Sequence, residues 1–95
     1  MPTDLGFEAT LPLAFDAAIE RVTEALKAEG FGVLTRIDVH DTLRKKIGAE
    51  FRPYAILGAC NPQLAFKALS ARADVGLMLP CNVTVEAAGD GRSLV

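Results

Sequence analysis

The stretch that decides the fold is residues 31–39, Phe31-Gly32-Val33-Leu34-Thr35-Arg36-Ile37-Asp38-Val39. Apolar or β-branched residues occupy the odd-numbered positions, and Gly32, Leu34, Arg36 and Asp38 stand between them. This period of two predicts a β-strand whose odd-numbered side chains share one face. Arg36 and Asp38 then lie on the other face, which we expect to meet solvent or to line a site.

An amphipathic helix is predicted before this strand, over residues 15–29. Its apolar residues recur at spacings of four, three and four, so they form one stripe along the helix. These residues are Phe15, Ile19, Val22 and Leu26. Gly30 follows where a glycine commonly ends a helix. Alternation over residues 5–11 predicts a first strand, which Pro12 ends.

Local signals predict six further elements after residue 39. A short helix ends at Gly48, and a strand follows over residues 51–59. Asn61 before Pro62 is the signature of a helix start, since asparagine caps helices and proline favours their first position. Three more strands are predicted over residues 75–79, 82–87 and 92–95, the last two joined by a turn over 88–91.

Composition and element order together indicate the fold class. At 95 residues, with 51% hydrophobic and 23% charged residues, the chain is predicted to form a single globular domain, residues 1–95. The helices are too few and too unevenly spaced for a doubly wound parallel sheet. We therefore predict an α+β domain of two layers, with an antiparallel or mixed sheet and helices on one face.

The charge and the apolar pattern exclude several classes of partner. The net charge is −2 and the pI is near 5.3, so the basic surface that binds nucleic acid is absent. No apolar run approaches the roughly 20 residues that a membrane span needs. The N-terminal residues do not resemble a secretory signal. We therefore expect a cytoplasmic protein, in which both cysteines stay reduced.

Five segments of the sequence resemble hallmarks of the DUF302 family, a family of domains of unknown function. They are residues 30–39, 42–43, 51–54, 56–62 and 79–83. These segments occur in the expected order and span nearly the whole chain. The resemblance implies a curved, mainly antiparallel sheet with the topology of a TATA-binding-protein half-domain, and it implies nothing about DNA binding.

The resemblance also bears on the state of association. It implies a homodimer and a C-terminal helix, and the sequence lacks that helix after Val95. A final strand that ends in Leu94-Val95 would expose an apolar edge if nothing covered it. Both arguments lead us to expect a homodimer.

Cys60 and Cys81 stand in similar contexts, because each directly precedes an asparagine and has a proline within two residues. Cys60 also precedes a predicted helix N-terminus, where the helix dipole favours a thiolate. If the strands that carry the two cysteines are neighbours, both thiols can face one pocket. Asn61 and Asn82 would then add amide donors beside them.

This pattern predicts a ligand-binding site. If the bound species is a metal ion, two further side chains are candidates to coordinate it. A soft metal ion can bind the two thiolates, with His40 or Asp38 completing its coordination. The alternative is that both cysteines are ordinary buried residues, since a free cysteine behaves as a small hydrophobe. Arg52 is a further candidate for binding an anionic ligand, and we favour instead an ion pair with Asp38 or Glu50.

Three functions stay open at this point. The first is a dimeric ligand- or metal-binding module with a two-cysteine pocket. The second is a structural or protein-interaction domain with buried structural cysteines. The third is a cysteine-based redox or sulfur-handling enzyme, which ranks last because a cysteine nucleophile normally needs a base beside it and no such arrangement is recognisable.

Overall fold

A computed structural model describes residues 1–95, which form five strands, three α-helices and one 3-10 helix. The strands are β1 (Thr10–Leu11), β2 (Gly32–Asp38), β3 (Tyr54–Cys60), β4 (Cys81–Gly89) and β5 (Arg92–Leu94). The helices are α1 (Phe15–Ala28), α2 (Val39–Ile47), α3 (Pro62–Ala71) and a 3-10 helix (Ala73–Met78). None of the helices is long and apolar enough to cross a membrane.

The five strands form one antiparallel sheet in the order β1-β5-β4-β3-β2. Strands β2, β3 and β4 each pair with the strand that comes next in the sequence, and β1 pairs with β5. Helices α1 and α2 pack on the sheet, which confirms the predicted α+β class with a mainly antiparallel sheet.

The core lies between α1 and the centre of the sheet. Ala18, Ile19 and Val22 of α1 pack against a cluster of buried strand residues. That cluster comprises Ala55 and Leu57 of β3 and Val85 of β4. Full burial of a side chain such as Leu57 stabilises the fold by about 1.5–3 kcal/mol. Only 9 of the 95 residues are buried, so this core is small for the length of the chain.

An irregularity in β2 overturns the simple alternation expected for residues 31–39. Val33 pairs with Ala59 of β3, whereas Thr35 pairs with Gly58, so the register shifts around Leu34. Ala59 and Gly58 are consecutive and face opposite sides of the sheet. Val33 and Thr35 therefore face opposite sides too, and the prediction that they share a face is wrong.

Two predicted elements also differ in extent or type. The first strand is limited to Thr10–Leu11, and residues 1–9 form an arm that folds back on itself at a bridge between Pro2 and Phe7. Residues 75–79, predicted as a strand, mostly belong to the 3-10 helix. Their apolar run matches a buried strand, but β3 already pairs with β2 and β4, and no edge beside it is free.

Gly58 lies where three segments converge on the face of the sheet opposite α1. A methyl group at this position would overlap Thr35 Oγ1 and would lie 2.8 Å from Pro80 Cγ. The proline ring is rigid, so it cannot rotate away as a flexible side chain would. A side chain at residue 58 is therefore incompatible with the observed packing.

We predict that Gly58→Ala lowers the free energy of unfolding by about 1–3 kcal/mol, because overpacking forces the neighbours to move. Gly32→Ala is the matched control, since nothing lies within 4 Å of a methyl group at Gly32. The control should change stability by less than about 0.5 kcal/mol. Urea denaturation followed by circular dichroism measures both, and equal effects of the two substitutions would contradict the packing argument.

Candidate functional site

The two cysteines lie at the same end of the sheet. β3 ends at Cys60 and β4 begins at Cys81. In the antiparallel pairing of these strands, Cys81 is opposite Ala59, the residue before Cys60. The 20 residues between the cysteines contain α3 and the 3-10 helix, and this segment leaves the sheet and returns to it. Strand pairing thus brings two cysteines that are distant in sequence to neighbouring positions.

A small apolar groove lies beside these positions. It has a volume of about 220 Å³ and is half open to solvent. Its lining residues are Phe31, Cys60, Asn61, Leu64, Ala65, Ala68, Leu79 and Cys81. Both cysteines are free thiols, Cys60 half-buried and Cys81 exposed. The groove is smaller than the 300–1,000 Å³ usual for drug-sized ligands, so its size suits a molecule smaller than a drug.

Asn61 fixes the wall that α3 contributes to the groove. Its side-chain oxygen accepts a hydrogen bond from the Leu64 N–H at 3.2 Å, which caps the helix as predicted from the Asn61-Pro62 pair. The amide nitrogen of Asn61 lies against Gly30, 3.2 Å from where a methyl group at Gly30 would stand. Gly30 has a φ of +86°, so glycine here serves both the turn after α1 and the close approach of Asn61.

Asn82 is not part of the groove lining, although its neighbour Cys81 is. Adjacent residues of a strand point to opposite faces, and Asn82 pairs with Gly58. The prediction that Asn61 and Asn82 flank the thiols together is therefore wrong for Asn82. The two Cys-Asn segments are similar in sequence but differ in structure, because Asn61 caps a helix and Asn82 lies within a strand.

His40 and Asp38 lie at the other end of β3 from Cys60. The Tyr54 N–H donates to His40 Nδ1 at 3.0 Å, and Tyr54 begins the strand that Cys60 ends. Six residues of extended strand span roughly 20 Å. Asp38 pairs with Ala55 across the sheet and forms an ion pair with Arg36 at 2.9 Å.

The set Cys60, Cys81 and His40, expected as metal ligands, is consequently not assembled. Asp38 cannot take the place of His40 as a ligand, because it also lies beside the end of β3 that is far from Cys60. No group of three or more histidine, cysteine, aspartate or glutamate side chains is arranged to hold a metal ion. Both cysteines are among the residues that line the groove, and those residues include no carboxylate or imidazole.

Arg52 forms an ion pair with Glu86 of β4, and not with Asp38 or Glu50 as the sequence suggested. Its guanidinium also lies over the Phe51 ring, 4.4 Å from the ring centre. The partner is 34 residues away in sequence, so only the pairing of β3 with β4 brings it close. The Arg52 head group therefore already has an anionic partner.

A second, larger cavity was missed by the reasoning from sequence. Its volume is about 900 Å³, and it lies between the N-terminal arm and the sheet face that carries Tyr54, Asn82, Thr84 and Glu86. The signal for it was present in β4, where polar residues recur at every second position from Asn82 to Glu86. Such alternation marks a strand face that is not buried in a core.

The antiparallel sheet with its helical layer defines a small α+β domain, and comparison with known proteins assigns it to a family. Residues 7–95 match the family model described as "Domain of unknown function DUF302". The chain therefore belongs to the DUF302 family, as its sequence motifs indicated. No curated protein matches the chain.

A solved structure shares this fold. It is the crystal structure of an uncharacterized conserved protein DUF302 from Bacillus stearothermophilus, with a TM-score of 0.83 and 35% sequence identity. The similarity covers 93% of this chain and 68% of that chain.

We predict that Asn61→Ala weakens the start of α3 by about 0.5–2 kcal/mol, because the Leu64 N–H loses its acceptor. Since α3 packs mainly on the 3-10 helix, the effect should stay local. Amide hydrogen exchange should accelerate at Leu64 and leave β3 unchanged. Asn82→Ala is the control, and an equal acceleration in that variant would contradict the assignment of the cap.

Proposed function

We propose that this protein is a homodimeric binding module that holds a small ligand in the groove between Cys60 and Cys81. The observation that carries the proposal is that Cys60 and Cys81 both line the groove, although they are 21 residues apart in sequence. Two cysteines that line one cavity can contact the same ligand, which separate surface cysteines cannot do.

The composition of the groove limits the chemistry of that ligand. Zinc sites in proteins almost always have four ligands, so two thiols alone do not satisfy that ion. Soft thiolates select soft ions such as Cu(I), and an apolar wall suits an ion that has lost its water. A small apolar molecule in contact with Phe31, Leu64 and Leu79 is the other ligand class that fits the lining. Coordination of an ion requires reduced cysteines, which agrees with a cytoplasmic location.

The extent of the exposed surface supports the dimer. The chain exposes 6877 Å², whereas a folded monomer of 10.1 kDa exposes about 5,300 Å². The radius of gyration is 14.8 Å, against about 12.4 Å for a compact domain of this length. The excess of roughly 1,600 Å², to which the exposed arm of residues 1–9 contributes, is larger than the 800 Å² that each partner buries in a standard interface.

We predict that one Ag(I) ion, used as a redox-inert soft ion, binds to the two thiols together. At one equivalent of Ag(I) per chain, alkylation by iodoacetamide should be suppressed at both Cys60 and Cys81, because both sulfurs are then coordinated. Native mass spectrometry should show one ion per chain. The single variants Cys60→Ser and Cys81→Ser should each bind Ag(I) at least about tenfold more weakly.

The double variant Cys60→Ser, Cys81→Ser is the control and should bind no ion tightly. If one equivalent protects only one cysteine and a second equivalent protects the other, the thiols bind ions separately, and the proposal of a shared site is wrong. If Ag(I) protects the two cysteines one at a time, but a hydrophobic dye binds the wild type and not a Leu64→Glu variant, the ligand is the small apolar molecule.

A second candidate is a protein-interaction domain in which the cysteines are structural. The exposed apolar side chains favour it, since Leu5, Phe7, Phe66, Leu77 and Met78 lie largely in solvent. In this case the double serine variant would change stability alone, and association would survive. A cysteine enzyme has less support, because His40 lies at the far end of β3 from Cys60.

A further inference from the structure

The cavity between the N-terminal arm and the sheet is separate from the cysteine groove and much larger. Its volume of about 900 Å³ is within the 300–1,000 Å³ usual for small-molecule sites, whereas the groove has about 220 Å³. The two cavities share no lining residue. We call the larger one the arm cleft; Leu5 and Phe7 line it from the arm, and Tyr54, Asn82 and Thr84 line it from the sheet.

The sheet wall of the arm cleft carries a row of hydrogen-bonding side chains. Val85 of β4 is buried against α1, so its neighbours Thr84 and Glu86 point to the opposite face of the sheet. Asn82 lies two residues before Thr84, and Tyr54 pairs with Glu86, so both share this face. The row from Asn82 to Glu86 is about 14 Å long. Its hydroxyl and amide groups can both donate and accept hydrogen bonds.

The charged groups of the lining already have opposite charges beside them. The lining side chains include two carboxylates, Glu8 and Glu86, and no lysine, arginine or histidine. Glu86 forms an ion pair with Arg52. The Met1 ammonium donates a hydrogen bond to the backbone carbonyl of Glu8, so a positive charge lies beside that residue too. A charged ligand would lose water without gaining an unpaired opposite charge, whereas a neutral ligand avoids this cost.

The arm contributes an apolar wall that its own backbone supports. Leu5 and Phe7 are 100% and 87% exposed. The bridge between Pro2 and Phe7 folds the arm back on itself. Ala9 exchanges two backbone hydrogen bonds with Val95, which attaches the arm to the end of β5. An apolar group between this wall and the sheet would remove both exposed side chains from water, which is favourable.

We propose that the arm cleft binds an uncharged small molecule that has an apolar ring and hydroxyl or amide groups. The ring contacts Leu5 and Phe7, and the polar groups exchange hydrogen bonds with Tyr54, Asn82 and Thr84. This site goes beyond the proposed function and does not depend on it, because neither cysteine lines the arm cleft.

The two walls of the arm cleft differ in their relation to the family. The family match begins at residue 7, and four lining residues precede it: Met1, Thr3, Leu5 and Gly6. The sheet wall lies wholly within the match. The arm is therefore the part of the site that the shared fold does not supply.

The test uses three probes that share an indole ring and differ in charge. At neutral pH tryptophol is uncharged, tryptamine is a cation and indole-3-acetate is an anion. Each is titrated into the isotope-labelled protein, and amide chemical shifts are followed by nuclear magnetic resonance. Tryptophol should shift the signals of Tyr54, Thr84 and Leu94, and it should bind about tenfold more tightly than either charged probe.

Point variants test each wall of the arm cleft. Tyr54→Phe and Thr84→Val each remove a hydroxyl with little change of shape, so each should weaken tryptophol binding about two- to tenfold. Phe7→Ala removes the apolar contact and should weaken binding at least about threefold. Leu77→Ala is the matched control for Phe7→Ala, because Leu77 is 90% exposed on the 3-10 helix and does not line the cleft. Circular dichroism should show that all four variants fold.

A further control separates the arm cleft from the cysteine groove. The double variant Cys60→Ser, Cys81→Ser should bind tryptophol as the wild type does, although it no longer binds Ag(I) tightly. Tryptophol shifts confined to Phe31 and Leu79 would place the probe in the cysteine groove. That result would overturn the arm cleft as a site and would support the proposed function.

Three other results would overturn the inference. The first is the absence of shifts at Tyr54 and Thr84 at low millimolar tryptophol. The second is binding of tryptamine or indole-3-acetate as tight as that of tryptophol, which would contradict the argument from charge. The third is an equal loss of binding in Phe7→Ala and Leu77→Ala, which would mean that the arm does not form a wall of the site.

Discussion

Burial of alternate residues of β3 beneath helix α1 is the interaction on which the rest of the structure depends. Ala55 and Leu57 meet Ile19 and Val22, and alanine at residues 18 and 55 lets the helix approach the sheet closely. Because β3 pairs with β2 on one side and β4 on the other, its position fixes both neighbours. The helical excursion between β3 and β4 is then free to leave the core, and this is the part of the chain that carries the groove.

The groove and the core consequently depend on different forces. The core is held by hydrophobic burial, whereas α3 is held by its asparagine cap, by the 3-10 helix and by its connections to β3 and β4. A site built on such a peripheral unit can adjust to a ligand or a partner at little cost to the fold. The same peripheral placement explains why its apolar residues are still exposed in the single chain.

Features with a local cause could be predicted from the sequence, and features with a tertiary cause could not. Helix α1, the helix start at Asn61 and the helix end at Gly48 depend on periodicity and capping, and all three are confirmed. The irregularity around Leu34 and the Arg52–Glu86 pair depend on register between strands, which no short stretch specifies. The two cysteines were recognised as candidates, but their separation from His40 followed only from the strand order.

The irregularity in β2 also bears on the solubility of the folded chain. β2 is an outer strand of the sheet, with one row of backbone N–H and C=O groups that no other strand of the chain engages. A flat outer strand of this kind can template the addition of strands from other molecules, which leads to aggregation. The shift around Leu34 and the charged pair Arg36–Asp38 make this edge uneven and charged. They therefore give the sheet a built-in protection against edge-to-edge aggregation while its other surfaces stay available for specific contacts.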